Sequence, residues 1–465
     1  MARQYHLQSV LLESGWAHGV EVGVTQDGRI ERIDTVPAAG ANPQAERILG
    51  FVVPGMPNGH SHAFQRGMAG STEYRLSARD SFWTWRQAMY ALANRITPED
   101  LKVLATQLFL EMLKSGYTSV AEFHYLHRRP DGDLYPGANE LWDATTAAAD
   151  IAGIGLTFLP TLYQTSDFGS QPLKKEQARF ALDTERFLRA VDQRINAEPK
   201  DGARIRRTGA AFHSLRAVPL ESLQEAVRGL RSIDPTMPVH IHIAEQVKEV
   251  EACKQHSGRR PVELLLEAGV VDRHWCLVHA THATPAELEA IAASSAGVCV
   301  SVSTEANLGD GFFDAARFLK AGGRVCVGSD SQATVCPAEE LRWMEYQARL
   351  RKRRRGVLAD ESETHVGTRL WRAAAGSGGI ALGQPVGSIA VGSRADWLVL
   401  DAAHPSMAGA AAESALDHLL FAGGSGAIRD VMVAGRWVVK DRQHPAESAS
   451  IGAFRELMTR FAGQN

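Results

Sequence analysis

The sequence predicts an α/β protein: a (β/α)8 barrel of the TIM type, with a small composite β domain built from both chain ends. Three observations predict it. Residues 54–386 alternate helical patterns with short apolar runs. The ends of those runs, not their middles, carry His, Glu, Asp, Tyr and Ser. The flanks 1–53 and 387–440 share a β-rich texture unlike the middle, and 441–465 reads as a C-terminal helical segment.

The flanks contain two hairpin patterns. GVEVGVTQDGRIERI alternates around Asp27-Gly28, and DVMVAGRWVVKDRQ also alternates around a tight turn. In the middle, TPEDLKVLATQLFLEMLKSG has Thr97 as N-cap, Pro98 at the first helical position, acidic residues in the first turn and Gly116 as the stop. The candidate barrel strands, in order, are FVVPGMPNGHSH, TSVAEFHY, IGLTFLPTLY, GAAFHSL, PVHIHIAE, WCLVHATH, GVCVSVSTEA and RVCVGSDS. Barrel active sites lie at the C-terminal ends of the strands, where this chain keeps its polar residues.

Composition narrows the function classes. Hydrophobic residues make up 45% and charged residues 22% of 465 residues, the profile of a soluble globular protein. With 50 basic against 53 acidic residues the net charge is −3, so neither a nucleic-acid nor a membrane-surface partner is expected. The basic run RLRKRRRG (349–356) reads as the solvated end of a helix starting near Glu339. The five cysteines form no CxxC pair, and Cys276, Cys299 and Cys326 sit in apolar β-like runs, which fits a reducing compartment. The N-terminus shows no apolar signal core, and no run approaches the roughly 20 residues of a membrane helix. The expectation is a cytoplasmic protein.

The segment PGMPNGHSHAFQRGMAG places His60 and His62 at i and i+2, on one side of an extended chain. Alone, the pair is either a metal clamp or polar lining of a turn. His242 ends the fifth candidate strand, His279 the sixth and Asp330 the eighth, and a barrel brings these ends to one mouth. Three imidazoles and a carboxylate form a nitrogen-rich set suited to Zn2+, with Fe2+ as the alternative.

The order HxH, then HxxE (His242 to Glu245), then His279, then the SDS containing Asp330, resembles the amidohydrolase superfamily, whose composite β-sandwich domain the paired termini also resemble. Binuclear members carry a bridging lysine on strand 4. Strand 4 here, GAAFHSLRA, has none, so a one-metal site of the deaminase branch is expected. In that branch the metal lowers the pKa of water to about 7. The resemblance implies that Asp330 binds the metal and accepts the water proton, that His279 orients the hydroxide, and that Glu245 protonates the substrate nitrogen and then the leaving ammonia. Strict alternation would put Glu245 on the face opposite His242, so this role requires the chain to turn between Ala244 and Glu245. A surface Glu opening EQVKEVEACKQH is the other reading.

Further residues near the mouth are Gln65 past the HxH, Arg86 in SFWTWRQAMY, Tyr125 ending strand 2, and His213 and Arg216 after strand 4. Two arginines suggest an anionic substrate, although either can serve as a structural ion-pair partner. The blocks PNxHSHAFQRxMAG, DSFWTWRxxMY, AEFHY, FHSLRAV, HIHIAEQxKEV, LVHATH, STEANLGDG and EELRWxEYxxRLR together resemble the N-formimino-L-glutamate deiminases (formimidoylglutamate deiminases) of bacterial histidine degradation. That family hydrolyses its small dianionic substrate to N-formyl-L-glutamate and ammonia at one zinc. The resemblance implies metal ligands at His60, His62, His242 and Asp330, catalytic roles for Glu245, His279 and Asp330, substrate contacts at Gln65, Arg86, Tyr125, His213 and Arg216, and a homodimer. Two positions depart from it: Gln332 stands where relatives have His, and Gly59 replaces a larger apolar residue. A deaminase of guanine or a related heterocycle is the alternative within the superfamily. A catalytically dead barrel acting as a binding module is the alternative outside enzymes.

Overall fold

The structure is a computed structural model that describes residues 3–36, 42–74, 82–137, 139–198 and 205–463. Strands β1 (Arg3–Leu12), β2 (Gly15–Val24), β3 (Ile30–Thr35) and β4 (Glu46–Pro54) come from the N-terminal end. Strands β14 (Trp397–Leu400), β15 (Ile428–Val433) and β16 (Arg436–Val439) come from the C-terminal end. They form one seven-stranded sheet in the order β16-β15-β14-β4-β1-β2-β3. Its core of Tyr5, Val20, Val22, Ile48, Val52, Trp397 and Met432 is separate from the larger one. Both hairpins form, β2 with β3 and β15 with β16. The second turn has Ala434 at φ 49° and Gly435 at φ 70°, the paired left-handed residues that match hairpin twist.

The second sheet is the barrel. It runs β5 (Met56–Ser61), β6 (Tyr117–His124), β7 (Gly155–Leu162), β9 (Ala210–Phe212), β10 (Val239–Ile243), β11 (Trp275–His279), β12 (Gly297–Val300) and β13 (Arg324–Val327), with short β8 (Arg206–Thr208) beside β7. All these pairings are parallel. The circle closes where β5 meets the end of β13: Ser61 bridges Asp330, and His60 O accepts from Ser329 N and Asp330 N at 3.0 Å each. Gly328 permits this approach, because a Cβ there would lie 2.8 Å from His60 O. Asn58 supports it by donating to Ser329 Oγ at 2.7 Å while its oxygen accepts from His60 N and Ser329 N.

The elements differ from the sequence reading in three places. The run FVVPGMPNGHSH is two strands: Phe51–Pro54 lie in β4, pairing with β1 and β14, and only Met56–Ser61 enter the barrel. In GVCVSVSTEA the strand ends at Val300, and Val302–Leu308 is a helix. Its β-branched residues favour a strand, but helix formation lets Glu305 accept from Ser301 N and places Ser303 N on Glu340. GAAFHSL contributes only three strand residues, because Ser214 begins a turn that receives Ala217 N and Val218 N.

The helix Pro98–Ser115 has the expected ends: Thr97 and Asp100 form a capping box, and Gly116 takes φ 108°. The basic run lies at the C-terminal end of the helix Pro337–Lys352. Among the described residues no helix is long and apolar enough to cross a membrane. The helix Glu447–Ala462 follows the last strand and ties to Pro98–Ser115 through Lys114–Glu447 and Ser450–Gln107.

Candidate metal centre and active site

Four donors converge at the barrel mouth. His60 lies near the end of β5 and His62 directly follows it, His242 lies near the end of β10, and Asp330 follows β13 by three residues. All four are buried, and their ligand atoms lie within 4.8 Å of one another. His242 Nε2 is 3.0 Å from His60 Nε2 and 3.3 Å from His62 Nε2. Asp330 Oδ1 is 3.3 Å from His60 Nε2 and 3.4 Å from His62 Nε2. Donors about 2.0–2.1 Å from a shared ion in a tetrahedral arrangement stand roughly 3.3 Å apart, so these separations fit one ion.

The hydrogen bonds point the same way. His62 Nδ1 donates to Phe123 O at 2.9 Å, and His242 Nδ1 donates to His213 O at 2.8 Å. Each ring, when neutral, therefore turns a bare Nε2 lone pair toward the cluster. Burial favours neutrality. It pushes His60 down to about 3 and lowers His62 and His242 as well, with neighbouring imidazoles adding to the effect at His242. Burial alone would raise Asp330, but its hydrogen bond with His60 and the positive charge of His279 hold it below the ordinary carboxylate range. Facing lone pairs and a carboxylate repel unless a cation lies among them, so the donor set suits a divalent metal ion.

A cavity above the donors is lined by His62, His242 and Asp330, and also by Gln65, Arg86, Tyr125, His213, Arg216, Glu245 and His279. Every predicted site residue except His60, which lies beneath, thus faces one space. Glu245 gets there because β10 ends at Ile243 and Ala244 takes φ 51°. His279 Nε2 lies 3.8 Å from both Glu245 Oε1 and Asp330 Oδ2. Burial raises Glu245 to about 7, against the pull of His279. Burial would lower His279, but Glu245, the Glu305 hydrogen bond and Asp330 raise it to about 10.

The cavity lining also carries positive charge. Arg216 is 5% exposed, and its Nε has no hydrogen-bond partner among the described residues. The Arg86 guanidinium stacks 4.6 Å from the Trp83 ring and 5.4 Å from the Tyr90 ring. Gln65 Nε2 donates to Tyr125 OH at 3.0 Å, and Gln65 Oε1 has no partner among the described residues.

Sequence reasoning missed several lining residues: Phe82, Trp85, Met89 and Tyr90, together with Leu308 and Ser331. The first four lie with Arg86 on one face of the helix Phe82–Ala93, and the spacing 82, 85, 86, 89 was a usable helical signal. Ser81, within the same aromatic block, lies outside the described residues. Buried supports were missed too. Glu122 accepts from Ala63 N at 2.6 Å, Glu305 faces His279 Nδ1 at 3.4 Å, and Glu249 binds the Ala244 and Glu245 amides. Gln332, at φ 67°, donates to Asp330 O at 2.7 Å and Ser61 Oγ at 3.1 Å, bracing the join of the first and last barrel strands. A side chain at Gly59 would press on Cys326 and Cys299, its Cβ 2.7 and 2.9 Å from the two sulfurs. The two sulfurs leave no room for a side chain at position 59.

Residues 51–438 match the Amidohydrolase family. The chain is 49% identical to a formimidoylglutamate deiminase from Pseudomonas aeruginosa, over 97% of this chain and 98% of that protein. It is 26% identical to a 5-methylthioadenosine/S-adenosylhomocysteine deaminase from Natronomonas pharaonis, over 95% and 92%. Among solved structures, an amidohydrolase from Brucella melitensis superposes with TM-score 0.91 at 40% identity, covering 98% of this chain and 99% of that one. An adenosine deaminase from Xanthomonas campestris shares the fold, with TM-score 0.80 at 20% identity over 99% and 98%. Family match, long relatives and barrel geometry agree: the chain belongs to the amidohydrolase family.

Proposed function

We propose that this chain hydrolyses N-formimino-L-glutamate to N-formyl-L-glutamate and ammonia, using one Zn2+ held by His60, His62, His242 and Asp330. The observation that carries the reading is Arg216. A buried guanidinium with an unpartnered Nε faces the same cavity as the metal donors and Glu245. Glu249 and Glu245 favour its charge, but a buried guanidinium also needs hydrogen-bond acceptors, and a substrate carboxylate fits the open Nε. Arg86 offers a second cation, matching a substrate with two carboxylates. The 49% identical formimidoylglutamate deiminase supports the same substrate.

A divalent ion in this donor set supplies Lewis acidity, lowering the pKa of water toward about 7. The chain's residues do the rest. Arg216 and Arg86 hold the glutamate carboxylates, while Gln65 and Tyr125 form a polar wall beside the formimino group. Asp330 accepts a proton from the attacking water, 3.8 Å from His279, which steers that water. Glu245, raised to about 7 by burial, holds or releases a proton at neutral pH. It protonates the imino nitrogen as the water oxygen adds to the carbon and the C=N π bond opens. It then passes the proton held by Asp330 to the same nitrogen, so that the C–N bond breaks, ammonia leaves and the C=O bond forms, with the remaining hydroxyl proton returning to Glu245.

We read residues 54–386 as the catalytic unit, with 1–53 and 387–440 as its β-sandwich partner and 441–465 as a helical tail. All five cysteines are buried and unpaired, which supports a cytoplasmic setting, and a homodimer is the expected assembly. A heterocycle deaminase would be expected to favour stacking over two carboxylate clamps. Ammonia release from N-formimino-L-glutamate and from guanine separates the two readings. Turnover of guanine alone would overturn the proposal.

A further inference from the structure

Glu249 lines neither the cavity nor the donor cluster, yet it governs how Glu245 reaches both. Along a regular strand Glu245 would point away from His242. Instead β10 stops at Ile243, and Ala244 adopts φ 51°, a left-handed conformation unfavourable for a residue with a Cβ. Such a turn persists only where its surroundings hold it. The hold is bidentate: Glu249 Oε1 accepts from Ala244 N at 3.1 Å, and Oε2 accepts from Glu245 N at 3.0 Å. Ala244, Glu245 and Glu249 are all buried, so water does not stand in for either bond.

The placement suits a carboxylate. Glu249 lies in the first turn of the helix Val247–Ser257, where the positive end of the helix dipole favours negative charge. An amide could satisfy one of the two N–H groups but would turn its own NH2 toward the other.

We propose that Glu249 is a positioning residue: its carboxylate clamps the left-handed turn at Ala244 and thereby aims Glu245 at His279 and Asp330. The proposal rests on the deiminase reading, in which Glu245 moves protons. It carries a second signature, because Glu249 also exerts the strongest single charge effect on Arg216. Neutralising it leaves the Arg216 charge less compensated, so an anionic substrate is held no more weakly. Loss of Glu249 should therefore appear in kcat and not as a raised KM, the reverse of a general loosening of the site.

The test compares metal-loaded wild type, Glu249→Gln, Glu245→Gln and the double variant for kcat and KM with N-formimino-L-glutamate. Metal content, thermal midpoint and hydrogen–deuterium exchange of the segment 239–250 are read alongside. The expected result is that Glu249→Gln keeps its metal, loses about 100-fold in kcat without a rise in KM, and exchanges faster in that segment. The double variant should be no slower than Glu245→Gln alone, since the clamp acts through Glu245. Multiplying losses, a loss carried by KM, or unchanged exchange overturns the clamp. So does failure of both Glu249→Gln and Glu249→Asp to fold and hold metal, which would make Glu249 a residue of the fold. Inactive wild type would instead count against the deiminase reading, and the exchange measurement would still decide on the clamp.

Discussion

His62 Nε2 and His242 Nε2 lie 3.3 Å apart, and neither has a proton for the other, because each ring donates its Nδ1–H to a backbone carbonyl. Burial lowers both pKa values, which disfavours protonation as the way to join them. A cation between the two lone pairs resolves the contact.

Removing one donor tests this directly. His242→Ala is expected to lose bound metal and turnover together, read by elemental analysis and ammonia release. A variant that keeps stoichiometric metal would contradict the ligand assignment.

Glu245→Gln keeps the four donors intact, so metal content should match wild type while kcat falls about 100- to 10,000-fold, the span of a lost general acid–base group. Near wild-type turnover would sink the acid–base role.

Arg216→Ala should act through binding. Loss of a charge-assisted contact worth about 1.5–3 kcal/mol raises KM roughly 10- to 100-fold, with a smaller change in kcat. Arg216→Lys should recover little of it, since an ammonium lacks the planar fork. Steady-state kinetics of the metal-loaded variants read both, and an unchanged KM in Arg216→Ala would remove the guanidinium from the substrate.

Glu340 gives a prediction about stability. It is fully buried against Ser303, and burial raises its pKa from 4.5 to about 8. Between those values the folded chain holds a proton that the unfolded chain has released. The stabilisation is therefore complete below about pH 4.5 and is lost as pH rises toward about 8, at about 1.4 kcal/mol per pH unit. Denaturant unfolding of metal-loaded protein from pH 5 to 8 should fall less steeply in Glu340→Gln, by close to one proton. Parallel curves would show that Glu340 is ionised in the fold.

Much of this architecture was legible in the sequence, and the exceptions have physical causes. Barrel strands are short apolar runs with polar ends, and that pattern located His60, His62, His242, His279 and Asp330. The register of Glu245 was not legible, because it depends on one left-handed residue, Ala244, held by a carboxylate four positions beyond the glutamate it serves. The helical stretch Val302–Leu308 looked like a strand because a local bond to Glu305 and a tertiary one to Glu340 override β propensity. Gly59 was visible as an oddity, but its meaning lies in sulfurs from two other strands.

The central claim is one metal in the His60, His62, His242 and Asp330 set serving N-formimino-L-glutamate. The most direct measurement titrates metal-free protein with Zn2+ while following ammonia release from that substrate. Turnover is expected to rise in proportion to bound zinc and to level off at one ion per chain. Turnover independent of bound metal, or no ammonia from N-formimino-L-glutamate at full loading, would contradict it.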